Sequence, residues 1–262
     1  MAAVADGLPL RLTCAKLSAI GMRASNQDAI GDARHDALTC FVMSDGAGGH
    51  EGGEVASRLV VDAILRKFGE EACFGPRALL SYFDHAIAAV ALARRETAQR
   101  QDMSATAAAL LVDRSNACAV WAHLGDTRIY HFRGARLLAA TRDHSLTQQL
   151  IDAGYAKADE LRIHPQRNIL YAAVGAEGET LPTSSGDAVA LENGDAFLIC
   201  TDGLWEWVME ADMERTLAAA ANTDAWLDAL CTLADANIAA AGKVRDNYSV
   251  YAIGVQRQDT PI

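Results

Sequence analysis

The spacing of apolar positions changes several times along the chain, and each change marks an element. Leu10 to Ser18 alternates apolar and polar residues, the period of a half-buried strand. Thr39 to Met43 is a short apolar run of the kind a buried strand presents, and Glu54 to Phe68 repeats at helical spacing. The five glycines from Gly46 to Gly53 therefore sit in a predicted strand-to-helix turn. Pro76 to Arg100 predicts a long amphipathic helix with Leu79, Leu80, Phe83, Ile87 and Val90 on one face. Four strand-like runs follow, Ala107 to Val112, Ala117 to Leu124, Arg128 to Phe132 and Arg136 to Ala140. Their connections are too short for crossover helices, so they predict an antiparallel meander. Thr141 to Gly175 turns polar and reads as a compact insertion, with short helical pieces at Ser145 to Ala153 and Lys157 to Arg162. Asp187 to Leu191 and Ala196 to Cys200 predict a hairpin, Met209 to Ala221 and Thr223 to Ala241 two helices, and Tyr248 to Val255 a last strand.

Several of the strand runs are apolar on both faces. Two stacked antiparallel sheets with helices outside would bury them in that way, which gives an α+β fold of four layers, αββα. Only five prolines, no low-complexity tract and no internal repeat interrupt the pattern, so residues 1–262 read as one domain. A formal net charge of −11 without a Lys/Arg cluster argues against nucleic acid or an anionic membrane as partner. The chain shows neither a leader pattern near Met1 nor a run of about 18 apolar residues, and a cytoplasmic location is expected. The six cysteines are scattered without Cys-x-x-Cys spacing and read as buried free thiols.

Candidate chemistry lies at strand ends. Asp45, Asp126, Asp202 and Asp246 each adjoin a predicted strand and a Gly or Asn, in Asp45-Gly46, Gly125-Asp126, Asp202-Gly203 and Asp246-Asn247. Each alone has a plain reading as strand-end punctuation. If the last strand pairs antiparallel with the one ending before Asp202, Asp202 and Asp246 become neighbours. Carboxylates gathered at one edge repel unless cations neutralise them, and an all-oxygen ligand set suits Mg²⁺ or Mn²⁺. The glycine stretch after Asp45 lacks the lysine of a phosphate-binding P-loop, and Glu51 stands where a Gly-x-Gly-x-x-Gly pattern needs its last glycine. Arg23, in the polar loop before Asp28, has the planar guanidinium that can grip two phosphate oxygens.

With these residues in order, the chain resembles the metal-dependent Ser/Thr protein phosphatases of the PP2C (PPM) type, compact bacterial form. The segments that carry the resemblance are Arg23 to Asp28, Asp45 to His50, Ser104-Ala105-Thr106, Gly125 to Arg128, Thr141 to Ser145, His164-Pro165 with Arg167-Asn168, Ala172 to Gly175, Thr201 to Trp205 and Asp246-Asn247. The resemblance implies that Asp45 bridges two Mn²⁺ or Mg²⁺ ions, that the Gly46 carbonyl binds one, and that Asp202 and Asp246 hold the other. Asp126 would join Asp202 at a third ion, Arg23 would orient the substrate phosphate, and Asp28 would act through water. Residues from about 145 to 170 correspond to a flap beside the site. Relatives with Asp-Gly-His in the glycine loop use that histidine as a general acid; here the position is Ala47, His50 stands three residues further on, and the leaving-group acid stays unassigned. The implied activity is hydrolysis of phosphoserine and phosphothreonine by direct attack of a water between the two ions. The implied setting is a monomer that opposes a Ser/Thr kinase, as in phosphatases of bacterial type VI secretion control. Alternatives with the same fold are a metal-dependent phosphatase of small molecules or nucleotides and a catalytically dead binding module.

Overall fold

A computed structural model of the chain describes residues 10–47, 49–96, 100–176 and 181–257. Strands that are apolar on both faces need cover on both, and two antiparallel sheets provide it. The first sheet has the order β1 (Leu10–Ala19), β12 (Tyr248–Arg257), β11 (Ala196–Cys200), β7 (Arg128–Arg133), β8 (Arg136–Ala140). The second runs β10 (Val189–Ala190), β6 (Cys118–Leu124), β5 (Ala107–Asp113), β3 (Leu38–Ala47), β2 (Asp28–His35), with β4 (Ser104–Ala105) on β3 and β9 (Thr183–Ser184) on β6.

Phe41, Leu110, Trp121, Phe197 and Tyr251 interdigitate between the sheets. Helices α1 (Gly49–Glu70) and α2 (Pro76–Arg94) cover the outer face of the second sheet, where Val60, Ile64, Phe68, Leu79, Phe83 and Val90 are buried. Past α3 (Leu146–Asp152), the outer face of the first carries α4 (Asp202–Trp205), α5 (Glu210–Ala219) and α6 (Thr223–Ala240), with Trp205, Met213, Trp226 and Leu230 buried. Each such side chain contributes about 1.5–3 kcal/mol on leaving water. The four-layer αββα reading therefore holds.

Several sequence expectations need correction. The four runs from Ala107 to Ala140 are not one meander: β5–β6 and β7–β8 are hairpins in different sheets, and Gly125 to Thr127 carries the chain across. Gly125 can make that step because its φ is +105°, a conformation that L side chains rarely adopt. The hairpin across Glu192 to Asp195 is also absent. Val189–Ala190 pairs with β6, whereas Ala196–Cys200 pairs with β12 and β7. The link between them is pinned by Arg133, which donates to Asp195 Oδ1 at 2.8 Å and to Asp195 Oδ2 at 2.9 Å. The strand-to-helix turn stands where it was expected, but β3 runs past Met43 to Ala47 and α1 begins before Glu54, at Gly49. β2 and the short α4 escaped the pattern, and α2 stops at Arg94. All six cysteines are free, but only Cys40 and Cys200 are fully buried.

Candidate active site

Strand pairing brings the carboxylates together. Asp28 and Asp45 are register partners across β2 and β3. β12 lies antiparallel beside β11 with Cys200 opposite Val250, so the end of one strand and the start of the other share an edge. There the Thr201 N–H donates to Ser249 O at 3.2 Å, between Asp202 and Asp246. A cavity of about 240 Å³ is lined by Arg23, Asp45, Gly46, Thr106, Asp126, Asp202, Asp246 and, from the insertion, Asn168 and Leu170. All four strand-end aspartates, Arg23 and Gly46 thus meet at one cavity.

Local structure fixes each position. The Asp45 N–H donates to Thr106 Oγ1 at 2.8 Å, the Thr106 N–H returns a bond to Asp45 O at 2.8 Å, and Thr106 Oγ1 lies 2.6 Å from Thr127 Oγ1, next to Asp126. Gly46 must be glycine, because a Cβ there would lie 2.0 Å from Gly53 O on α1. That close approach explains the glycine at position 53 in the second turn of α1 despite its poor helix propensity, since a Cβ there would lie 2.9 Å from Gly46 O. Asn247 clamps the loop of Arg23: its Oδ1 accepts from the Gln27 N–H at 2.9 Å, and its Nδ2 donates to Ile20 O at 2.8 Å and Ser25 O at 3.0 Å. Asp28 is buried; its Oδ2 accepts from Thr201 Oγ1 at 3.0 Å and its Oδ1 has no hydrogen-bond partner.

Electrostatically the cavity is strained. Burial first, then the charges of Asp28, Asp202, Asp126 and Asp246, hold Asp45 well above the ordinary carboxylate range. Asp202 is raised in the same way by burial and then by Asp126, Glu206, Asp28 and Asp246. Burial pushes Asp28 up to about 6, against the opposing hydroxyls of Ser249 and Thr201. Asp126 is pushed up to about 7 by burial and by Asp143, with Arg128 opposing. Arg23, otherwise exposed, forms an ion pair with Asp246.

This set fits hard divalent cations. Its candidate ligands are oxygens, the neighbouring carboxylates raise the pKa values of Asp45 and Asp202, and the buried Asp28 Oδ1 beside Asp45 lacks a donor. Among the described residues no three acidic, His or Cys side chains are already arranged to hold one ion. The carboxylates share a cavity and a field rather than a closed cage, and Arg23 occupies one side by its pairing with Asp246. The side chain of His50 lies outside the described residues.

Residues to which sequence reasoning gave no role supply the supports. Arg167 of the insertion donates to both oxygens of Glu206, at 2.9 Å to Oε2, and Glu206 immediately follows α4. Arg162 donates to Glu210 Oε1 at 2.8 Å. These two pairs dock the insertion beside Asp202. His144 Nδ1 accepts from the Gly125 N–H at 3.1 Å, and the His144 N–H donates to Gly125 O at 3.0 Å. Burial lowers the His144 pKa to about 4, which keeps Nδ1 an acceptor at neutral pH.

Comparison with known proteins shows the family and the fold. The family profile described as Protein phosphatase 2C matches residues 17–241. Over 195 residues the chain is 29% identical to the protein phosphatase PhpP of Streptococcus pneumoniae serotype 2, covering 73% of this chain and 78% of that protein. Its fold is similar to the serine/threonine phosphatase PstP/Ppp of Mycobacterium tuberculosis, with TM-score 0.79, 28% identity, and coverage of 94% and 99%. A structure of the catalytic domain of PstP in complex with two manganese ions gives TM-score 0.78 at 26% identity, with the same coverage. PppA, described as a key regulatory component of T6SS in Pseudomonas aeruginosa, is similar at TM-score 0.75 and 28% identity, covering 93% of this chain and 97% of that one.

Proposed function

The chain belongs to the protein phosphatase 2C family and is a metal-dependent protein serine/threonine phosphatase, and on that premise we propose how its residues divide the work. Asp45, the Gly46 carbonyl, Asp202 and Asp246 hold two divalent cations, Mn²⁺ or Mg²⁺, and Asp126 with Asp202 provides for a third. The observation that carries this reading is the convergence of all four strand-end aspartates on one cavity, where burial and the neighbouring carboxylates raise the pKa values of Asp45 and Asp202. When bound, such cations lower the pKa of coordinated water and neutralise charge that develops on the phosphoryl group.

The chain's own residues do the rest. Arg23 turns its guanidinium from Asp246 to two phosphate oxygens of the substrate, a swap that a cation on Asp246 favours by removing the competing carboxylate charge. Asp28 leaves Oδ1 free to accept from water near Asp45 while Thr201 fixes its other oxygen. Leu170 and Asn168 close one wall and bring the flap, about 145–170, against the substrate chain. No cysteine lines the cavity, in keeping with attack that uses no protein nucleophile.

We further read residues 1–262 as one phosphatase domain, a cytoplasmic monomer that opposes a Ser/Thr kinase. The similarity to PppA supports a place in type VI secretion control. Among the described residues no helix is long and apolar enough to cross a membrane.

The test is turnover of a phosphothreonine peptide and of nucleotide phosphates by the wild type and Asp202→Asn, with Mn²⁺ and with EDTA. Peptide turnover should need the metal, exceed nucleotide turnover and fall by orders of magnitude in the variant. Full peptide turnover after exhaustive chelation, or in Asp202→Asn, would sink the assignment.

A further inference from the structure

Arg128 is a cation with almost no access to water, 4% exposed, in the wall behind the carboxylates. A buried guanidinium is tolerated only when its hydrogen bonds and charge are met. Two parallel bonds to Asp143, both 2.7 Å, and one of 3.1 Å to the Tyr130 hydroxyl meet them. Its flat face lies over the Trp205 ring, 3.5 Å from the centroid. Trp205 is 2% exposed, and its Nε1–H donates to the backbone oxygen of Asp126 at 2.9 Å.

Chain order gives this contact its meaning. α4 is a single turn that opens with Asp202 and closes with Trp205. One end therefore carries one carboxylate, and the other end grips the backbone of a second, 79 residues away in sequence. The link Gly125-Asp126-Thr127 is held at all three residues: Gly125 by His144, Asp126 by Trp205 and Thr127 by Thr106. The Trp205 bond alone ties it to the helix of Asp202 among these three.

We propose that Trp205, clamped by Arg128, is a positioning residue that sets the distance between Asp126 and Asp202 and thereby the affinity of the cation these two carboxylates share. The unit touches neither substrate nor cation. It works as a spacer: the indole N–H fixes where Asp126 sits, and the Arg128–Asp143 pair fixes where the indole sits. The inference rests on the reading of Asp126 as a ligand.

Trp205→Phe keeps an aromatic ring in place and removes the five-membered ring with its N–H. Mn²⁺ binding is measured by calorimetry without substrate, for wild type, Trp205→Phe, Asp126→Asn and the double variant, with melting temperatures in EDTA as the control on folding. We expect about ten-fold weaker binding at one site in each single variant, the size typical of residues that orient metal ligands, and no further loss in the double variant. The EDTA melting temperature of Trp205→Phe should stay within a few degrees of wild type, which a mere core role would not combine with lost affinity. If Asp126→Asn binds weakly but Trp205→Phe binds like wild type, or if the two losses add, the positioning role is wrong and the ligand reading stands. If Asp126→Asn binds like wild type, the ligand reading fails and takes the inference with it. Should Trp205→Phe not fold, the wild-type indole N–H resonance of Trp205 decides the matter in a Mg²⁺ titration. It must shift with the Asp126 site, and an unmoved resonance beside a shifting Thr127 amide refutes the proposal.

Discussion

Asp126→Asn offers a sharp reading of the cavity's electrostatics, because its effect on stability should change with pH. In the fold the Asp126 carboxyl is pushed up to about 7, first by burial and then by Asp143, whereas the unfolded chain titrates it near 3.8. Between those values the folded state keeps a proton that the unfolded state has lost. The unfolded state then binds fewer protons, so stability falls as pH rises through the window. The full cost above pH 7 is about 1.4 kcal/mol for each pH step from 3.8 to 7, or roughly 4 kcal/mol. Asp28, pushed up to about 6, adds a penalty of the same sign over the lower part of the window. A chain of this size shifts its melting temperature by about 2–4 °C per kcal/mol, so Asp126 alone accounts for roughly 8–16 °C.

The assay is a series of thermal melts in EDTA from pH 4.5 to 8, for wild type and Asp126→Asn. Wild type should melt progressively lower as pH rises. The amide cannot ionise, so the variant should already melt a few degrees above wild type near pH 5 and by the full margin at pH 8. Saturating Mn²⁺ should reverse the order at pH 8, since an ion bound only to the folded state stabilises it by mass action. A wild-type melting temperature in EDTA that climbs steadily from pH 5 to 8, with Asp126→Asn below it at pH 8, would refute the reasoning.

Other expectations follow from the same geometry. Arg23→Ala removes a charge-assisted phosphate contact of about 1.5–3 kcal/mol, so KM for a phosphopeptide should rise about ten-fold or more while kcat falls less; unchanged constants would make Arg23 a surface residue. The same variant frees Asp246 from its ion pair and should bind Mn²⁺ more tightly by calorimetry. Gly46→Ala puts a Cβ 2.0 Å from a backbone oxygen that cannot swing aside, and should lower the melting temperature and the Mn²⁺ affinity together; a variant with wild-type values for both would contradict the close approach of β3 and α1.

The layers were legible because strands buried on both faces leave a signal in consecutive residues: Ala107 to Val112 and Phe197 to Cys200 are apolar without interruption. The choice of sheet was not. A tight link such as Gly125 to Thr127 looks the same locally whether the next strand folds back on its neighbour or crosses to the facing sheet. What decides is where β7 finds its partner, and that is β11, far along the chain. Edge strand β2 was lost for a related reason, since Asp28 to His35 is half polar and only partly covered.

The site divides along the same line. Four aspartates beside Gly or Asn were readable as a set because like charges at one edge require a common neutraliser, an argument that needs no distances. Which group neutralises which aspartate depends on contacts that no local pattern encodes: Arg23 meets Asp246 across 223 residues of sequence, and Arg128 meets Asp143 only where two strands converge. These two cations stand in different relations to the carboxylates. Arg128 is locked by a buried partner and a ring, so it can tune Asp126 but not leave it. Arg23 is exposed and held by a single carboxylate, so an incoming cation can displace it and free it for phosphate. A site for charged chemistry needs both kinds: one fixed charge that sets the field, and one that exchanges partners when metal and substrate arrive.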